Sequence, residues 1–188
     1  MNTAGKTWLL ALLAAAAACD PFQGASTAVP EVVSAFVTGY DGDFLAPVEG
    51  TPGVAPGTWA VPGDGQPALT TQNTLWIVAS NLLDGASIQE TPDPDVDPET
   101  GTYCIPAGGW LSASQTPAGT TWFTCYNPSS PTADEGGSIV IFAAADFKKV
   151  NDWFTVAVPF PSGTTTFGGT VKDQAGNALT FAVTVTAP

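Results

Sequence analysis

Thr91 to Gly101 reads TPDPDVDPETG and sets Asp93, Asp95, Asp97 and Glu99 at every second position. Carboxylates at that spacing suit calcium, because Ca2+ takes six to eight oxygen ligands. The plain alternative is a solvated acidic loop, stiffened by Pro92, Pro94 and Pro98 into extended or polyproline form. Other chemistry is thinner. The chain has no histidine, which removes a Ser-His-Asp triad, a Cys-His dyad and His-based zinc sites. It has no Gly-x-x-x-x-Gly-Lys phosphate loop and no dinucleotide fingerprint. Two carboxylates at a set separation suffice for glycoside hydrolysis. Among seventeen acids such a pair arises by chance, so a secreted hydrolase stays a second alternative and the chain is expected not to be an enzyme.

Aromatic residues are the other candidates. Trp59 and Trp110 stand among proline and glycine, in APGTWAVPG and PAGGWLSAS. Tryptophans in loops stack on sugar rings or anchor a protein partner, and they also fold back to cap a core edge. Trp76, Trp122 and Trp153 lie in strand-like runs and are expected in the core.

The three cysteines divide by position. Met1 to Thr7 carries one positive side chain, Lys6, and Trp8 to Ala18 is an unbroken apolar run ending at Cys19. A charged start, an apolar core and small residues at a cut are the parts of an export signal. The run is too short to span a bilayer, which takes about 20 apolar residues. LAAAAAC before Asp20 resembles a lipobox, though Ala16 stands where leucine is usual three residues before the cysteine. The resemblance implies cleavage before Cys19, its acylation, and attachment to a bacterial membrane facing the periplasm or the cell surface. Ordinary cleavage after an Ala-x-Ala site is the alternative. Cys104 and Cys125 then remain, and an oxidising compartment favours a disulfide between them, worth about 3 kcal/mol by loop entropy.

Charge narrows the partners. Loss of Lys6 leaves three lysines against seventeen acids, about −14, with no arginine. Such a chain repels phosphate backbones and offers no polybasic grip on anionic lipid. No nucleic acid is expected. A membrane through Cys19, and an envelope protein or a glycan, are the expected partners.

The elements that must position these residues read as strands. VVSAFVT (32–38), LWIVA (75–79), TWFTCY (121–126), SIVIF (138–142) and WFTVAV (153–158) are β-rich runs. Phe181, Val183 and Val185 alternate with threonine and alanine, as in a strand buried on one face. Twenty glycines and seventeen prolines punctuate the rest. AAADFKKV (143–150) alone suggests a helical turn, and Asp41–Thr74 and Gln89–Ala107 read as long loops. Many short strands with Gly/Pro turns predict an all-β antiparallel sandwich. The organisation expected is a signal peptide over 1–18, a flexible tether over 19–30, and one sandwich with long loop insertions over 31–188. Two smaller sandwiches split near residue 100 are the alternative.

Two stretches carry family likenesses. WFTVAV, GGTVKDQAGNAL and TFAVTVT, between Trp153 and Thr186, resemble the last strands of bacterial immunoglobulin-like domains. Their linking turn is Val171, Asp173, Gly176 and Asn177. LWIVASNLLDGASIQ (75–89) resembles early strands of related sandwiches. The likeness covers about fifty residues and implies an immunoglobulin-like fold used for adhesion, display or scaffolding. It carries over no functional residue. The acidic run likewise resembles the front of an EF-hand loop, with Pro98 where that loop has glycine and no glutamate at its twelfth position. The function expected is a non-enzymatic, membrane-anchored envelope module for structure or protein interaction, with carbohydrate binding or adhesion through Trp59 and Trp110 as the alternative.

Overall fold

A computed structural model describes residues 28–63, 66–88, 103–127, 137–145 and 153–188. Cys19, the stretch 1–27, and Asp93, Asp95, Asp97 and Glu99 lie outside the described residues. Two β-sheets face each other. The larger has the order β2 (Val48–Glu49), β1 (Val32–Tyr40), β5 (Gln72–Ala79), β9 (Ser138–Ala144), β8 (Thr121–Asn127), β6 (Tyr103–Pro106). The smaller runs β3 (Thr51–Pro52), β4 (Thr58–Val61), β11 (Ala178–Ala187), β10 (Gly163–Lys172), β7 (Leu111–Ala113). Each sheet draws strands from both sides of residue 100.

Period-two alternation makes the smaller sheet. Leu179, Phe181, Val183, Val185 and Ala187 of β11 are buried, while Thr180 and Thr186 face water. The outward threonines pair across the strands: Thr170 with Thr180 at 3.0 Å, Thr166 with Thr184 at 3.4 Å. Such cross-strand hydroxyl pairs each add a few tenths of a kcal/mol, about 0.2–1. The inward faces of the two sheets meet around Ala35, Val37, Leu75, Ile77, Ile141, Phe167 and Val183. Trp122 packs edge-on against Phe167, centroids 4.9 Å apart, and against Phe160.

The larger sheet is apolar on its other face too. Phe123, Cys125, Val140, Phe142 and Ala144 form a second buried cluster there, with Ala157 laid over it. All seven residues of β9 are therefore buried. That is why SIVIF reads as a continuous apolar run rather than an alternating one.

Four sequence expectations change. The sandwich is not wholly antiparallel, because β4 runs parallel to β11, Thr58 beside Ala182 and Val61 beside Val185. The chain crosses from β2 in the larger sheet to β3 in the smaller one, and the β3–β4 hairpin then sets the direction of β4. Asp41–Thr74 is not one loop, since it holds β2, β3, β4 and a 3-10 turn at Pro67–Leu69. These strands are two to four residues long, too short to show a period. WFTVAV is a helical turn at Trp153–Val156 instead of a strand. It links the two sheets: Ala157 joins the outer cluster, while Phe160 joins the core between the sheets. Gln72 Nε2 donates to Thr155 O and Phe160 N to Asn73 Oδ1, so side chains stand in for a ladder. Finally, Ala143 and Ala144 of the expected helical turn belong to β9, while 146–150 lie outside the described residues.

The edge of β10 beyond the short β7 is closed by side chains. Ser114 Oγ accepts from Thr166 N, Gln115 Nε2 donates to Thr164 O, and Ser87 Oγ accepts from Lys172 N. Filling a bare edge in this way removes a template for strand addition.

Candidate functional site

The two ends of β1 lie about 27 Å apart at strand rise, and the candidate features divide between them. At the end where the described chain begins, a network is built on the turn after β10. Gly176 adopts φ +86°, and its N–H donates to Asp173 O. Asp173 Oδ1 accepts from Asn177 N at 2.7 Å. Its Oδ2 accepts from Asn177 Nδ2 at 3.0 Å and from Asn81 Nδ2 at 2.9 Å. Asn81 Nδ2 also donates to Ala28 O. Asp173 is only 2 % exposed. Desolvation pushes its carboxyl pKa up, but hydrogen bonds from Asn81, Asn177 and the backbone of Asn177 and Ala175 outweigh this and hold it below its ordinary value. This carboxylate ties the entering chain to the last hairpin.

Beside it lies an open groove of about 500 Å3. Val29–Val32 form one wall, the 52–59 segment the other, and Ala178–Thr180 the third. The 53–58 turn is tight: Gly53 N donates to Thr58 O at 2.7 Å, and Thr58 Oγ1 to Ala55 O at 2.6 Å. Val54 at its tip is fully exposed. Gly57 has φ +73°, and a Cβ there would strike the Thr180 carbonyl oxygen. Among the described residues Glu31 is the single titratable side chain lining the groove. These residues offer apolar contact and one carboxylate.

Trp59 belongs to this groove. It sits in β4 rather than in a loop, half-buried, opposite Val183 and packed partly on the core. Trp110 is elsewhere. Its Nε1 donates to Ile88 O at 2.8 Å and its ring meets Phe181 edge-on at 6.5 Å. It closes the core beside β7. Two strands, β11 and β10, lie between β4 and β7, which sets the two indoles about 14 Å apart at the usual strand spacing, so they do not form one site. Trp122 is core as expected. Trp76 lies half-buried on the outer face of the larger sheet, stacked on Phe36 at 5.8 Å. The Trp153 side chain is outside the described residues.

Cys104 and Cys125 are bonded as expected, from directly paired positions on adjacent strands β6 and β8. Cys125 faces the outer cluster, so the bond staples an edge strand within one sheet and does not join the two sheets.

The far end holds a feature that sequence reading missed. Tyr40, Phe44 and Phe154 touch one another, with centroids 4.8–5.4 Å apart. Phe44 is 63 % exposed and directly follows the exposed Asp41–Asp43 stretch. No local signal marks this trio, because 110 residues separate Phe44 from Phe154 and only the helical turn after β9 returns the latter to the end of β1. Among the described residues no group of three cysteine or carboxylate side chains is placed to hold a metal ion. No protein-family model, curated protein or solved structure matches the chain.

Proposed function

We propose that this chain is the precursor of an exported bacterial lipoprotein, cut and acylated at Cys19. Its immunoglobulin-like sandwich serves as a non-enzymatic structural or protein-interaction module of the cell envelope. The Cys104–Cys125 bond carries the argument. It is the chemistry of an oxidising compartment, and it leaves Cys19, directly behind the apolar run, as the cysteine available for acylation. The interaction face in this reading is the Tyr40–Phe44–Phe154 cluster, at the opposite end of β1 from residue 28. Exposed aromatic anchors of this kind dominate protein interfaces.

The test is the intact mass of the protein from its own membrane fraction, with and without reductant. Residues 19–188 plus acyl chains, heavier by two hydrogens after reduction, are expected; an unacylated mass removes the anchor. A photo-crosslinking side chain at Phe44 in the native envelope should give a defined adduct that is absent when the same group stands at Gln174. Equal adducts at both positions would remove the interaction face. A turnover that survives purification and vanishes with one acid pair would replace the module by a hydrolase.

The second reading is a carbohydrate-binding or adhesion module. The groove at Trp59 favours it, while Trp110, with its N–H on Ile88 O, acts as a core cap. A glycan panel that leaves tryptophan fluorescence unmoved would end it.

A further inference from the structure

Among the described residues, the large apolar side chains that face water gather at particular places. Val29, Val33, Val54 and Leu82 are 41 % exposed or more, and all four lie at or beside the end where residue 28 enters. Phe44, at the opposite end, is the remaining one among the described residues. The turn that carries Val54 reads TPGVAPG (51–57) and contains no charged residue. Its backbone is held by the Gly53, Thr58 and Gly57 contacts, so Val54 projects from a rigid mount at little entropic cost. Trp59 lies in the groove behind it, and an indole suits a boundary that is apolar on one side and wet on the other.

We infer that this end of the sandwich is a bilayer-facing surface that rests Val29 and Val54 on uncharged lipid headgroups. The inference rests on acylation of Cys19. Eight residues separate Cys19 from Ala28, so the fully extended connection reaches no more than about 30 Å. The anchor thereby keeps this end close to the membrane at high effective concentration. A small apolar contact then suffices to orient the molecule without holding it there unaided. Charge selects the lipid. With three lysines against seventeen acids the mature chain is repelled by anionic headgroups, so the contact is apolar and weakens as anionic lipid is added. Resting this end on the bilayer turns Phe44, Tyr40 and Phe154 away from it.

The experiment uses the full acylated chain in protein-free phosphatidylcholine vesicles. With Cys19 acylated and Cys104 bonded to Cys125, Val54→Cys or Asp43→Cys introduces the one free thiol, to which an environment-sensitive fluorophore is attached. At position 54 the emission should shift to the blue and be quenched by a nitroxide carried on the lipid. At position 43 it should stay water-like. Val29→Asp, or added phosphatidylglycerol, should reduce the quenching at 54. An acylated protein with water-like emission at 54 overturns the bilayer-facing surface and leaves the anchor intact. A protein whose mass shows no acyl chain removes the anchor, and this inference with it. A shift at 54 in native envelope but not in protein-free vesicles assigns the surface to a protein partner and overturns the lipid contact.

Discussion

Asp173 keeps its charge where water is nearly excluded because every hydrogen bond around it favours the carboxylate. Its folded pKa is depressed, so its contribution to stability is fully present above the unfolded value and is lost as pH falls through the folded one. Asp173→Asn should be less stable than the parent at neutral pH. The difference should narrow below about pH 4, near the ordinary carboxyl pKa. Urea unfolding followed across pH 2–7 checks this, and a constant difference would remove the assignment. Phe167 makes the opposite kind of contribution. It is fully buried between the sheets against Trp122 and Phe160. Phe167→Ala should lose about 3–5 kcal/mol through the cavity left behind. Phe44→Ala, at an exposed ring, should change chemical stability far less.

At the scale of elements, the short strands decide most. Replacing Cys104 and Cys125 by serine should lower stability by about 2–4 kcal/mol. Because the bond holds edge strand β6 to β8, hydrogen exchange should quicken first in β6. Uniform loss of protection would mean the bond supports the whole sandwich instead. Gly57→Ala should cost at least about 1 kcal/mol for a side chain at positive φ, and more for the contact with Thr180 O that pushes β4 from β11. Gly109→Ala has open space around its Cβ and should stay within about 0.5 kcal/mol of the parent. Most of the longer strands were legible in advance, since β1, β5, β8, β9 and β11 each bury enough side chains to show as apolar or alternating runs, whereas β10, three glycines among threonines, was not. The helical turn at Trp153–Val156 was not. Its residues are β-formers by propensity, but the chain there must leave one sheet and enter the other, and tertiary context overrides propensity.

At the scale of the whole molecule, the division of labour follows the long axis of β1. One end joins the entering chain, the Asp173 network and the groove; the other carries the aromatic cluster. Exporting a chain truncated to residues 20–188 behind a signal that leaves no cysteine at the new N-terminus should leave the fold intact and release the protein from the membrane fraction. A truncated chain that stays membrane-bound at high salt would mean that the folded surface, and not the acyl group, provides the attachment.

Sequence alone determined the all-β class, the pairing of Cys104 with Cys125, the sandwich-core role of Trp122 and the alternation of β11. Each is a local pattern or a matter of counting: period two, a run of β-branched residues, two cysteines left after a third is assigned. Tertiary structure alone decided that β4 runs parallel to β11, that Trp59 lines a groove while Trp110 caps the core, that the disulfide lies on an outer face, and that Tyr40, Phe44 and Phe154 meet. These depend on which distant segments become neighbours. That is settled by burying both faces of the larger sheet at once, a demand on the whole chain that leaves no mark in any short stretch of it.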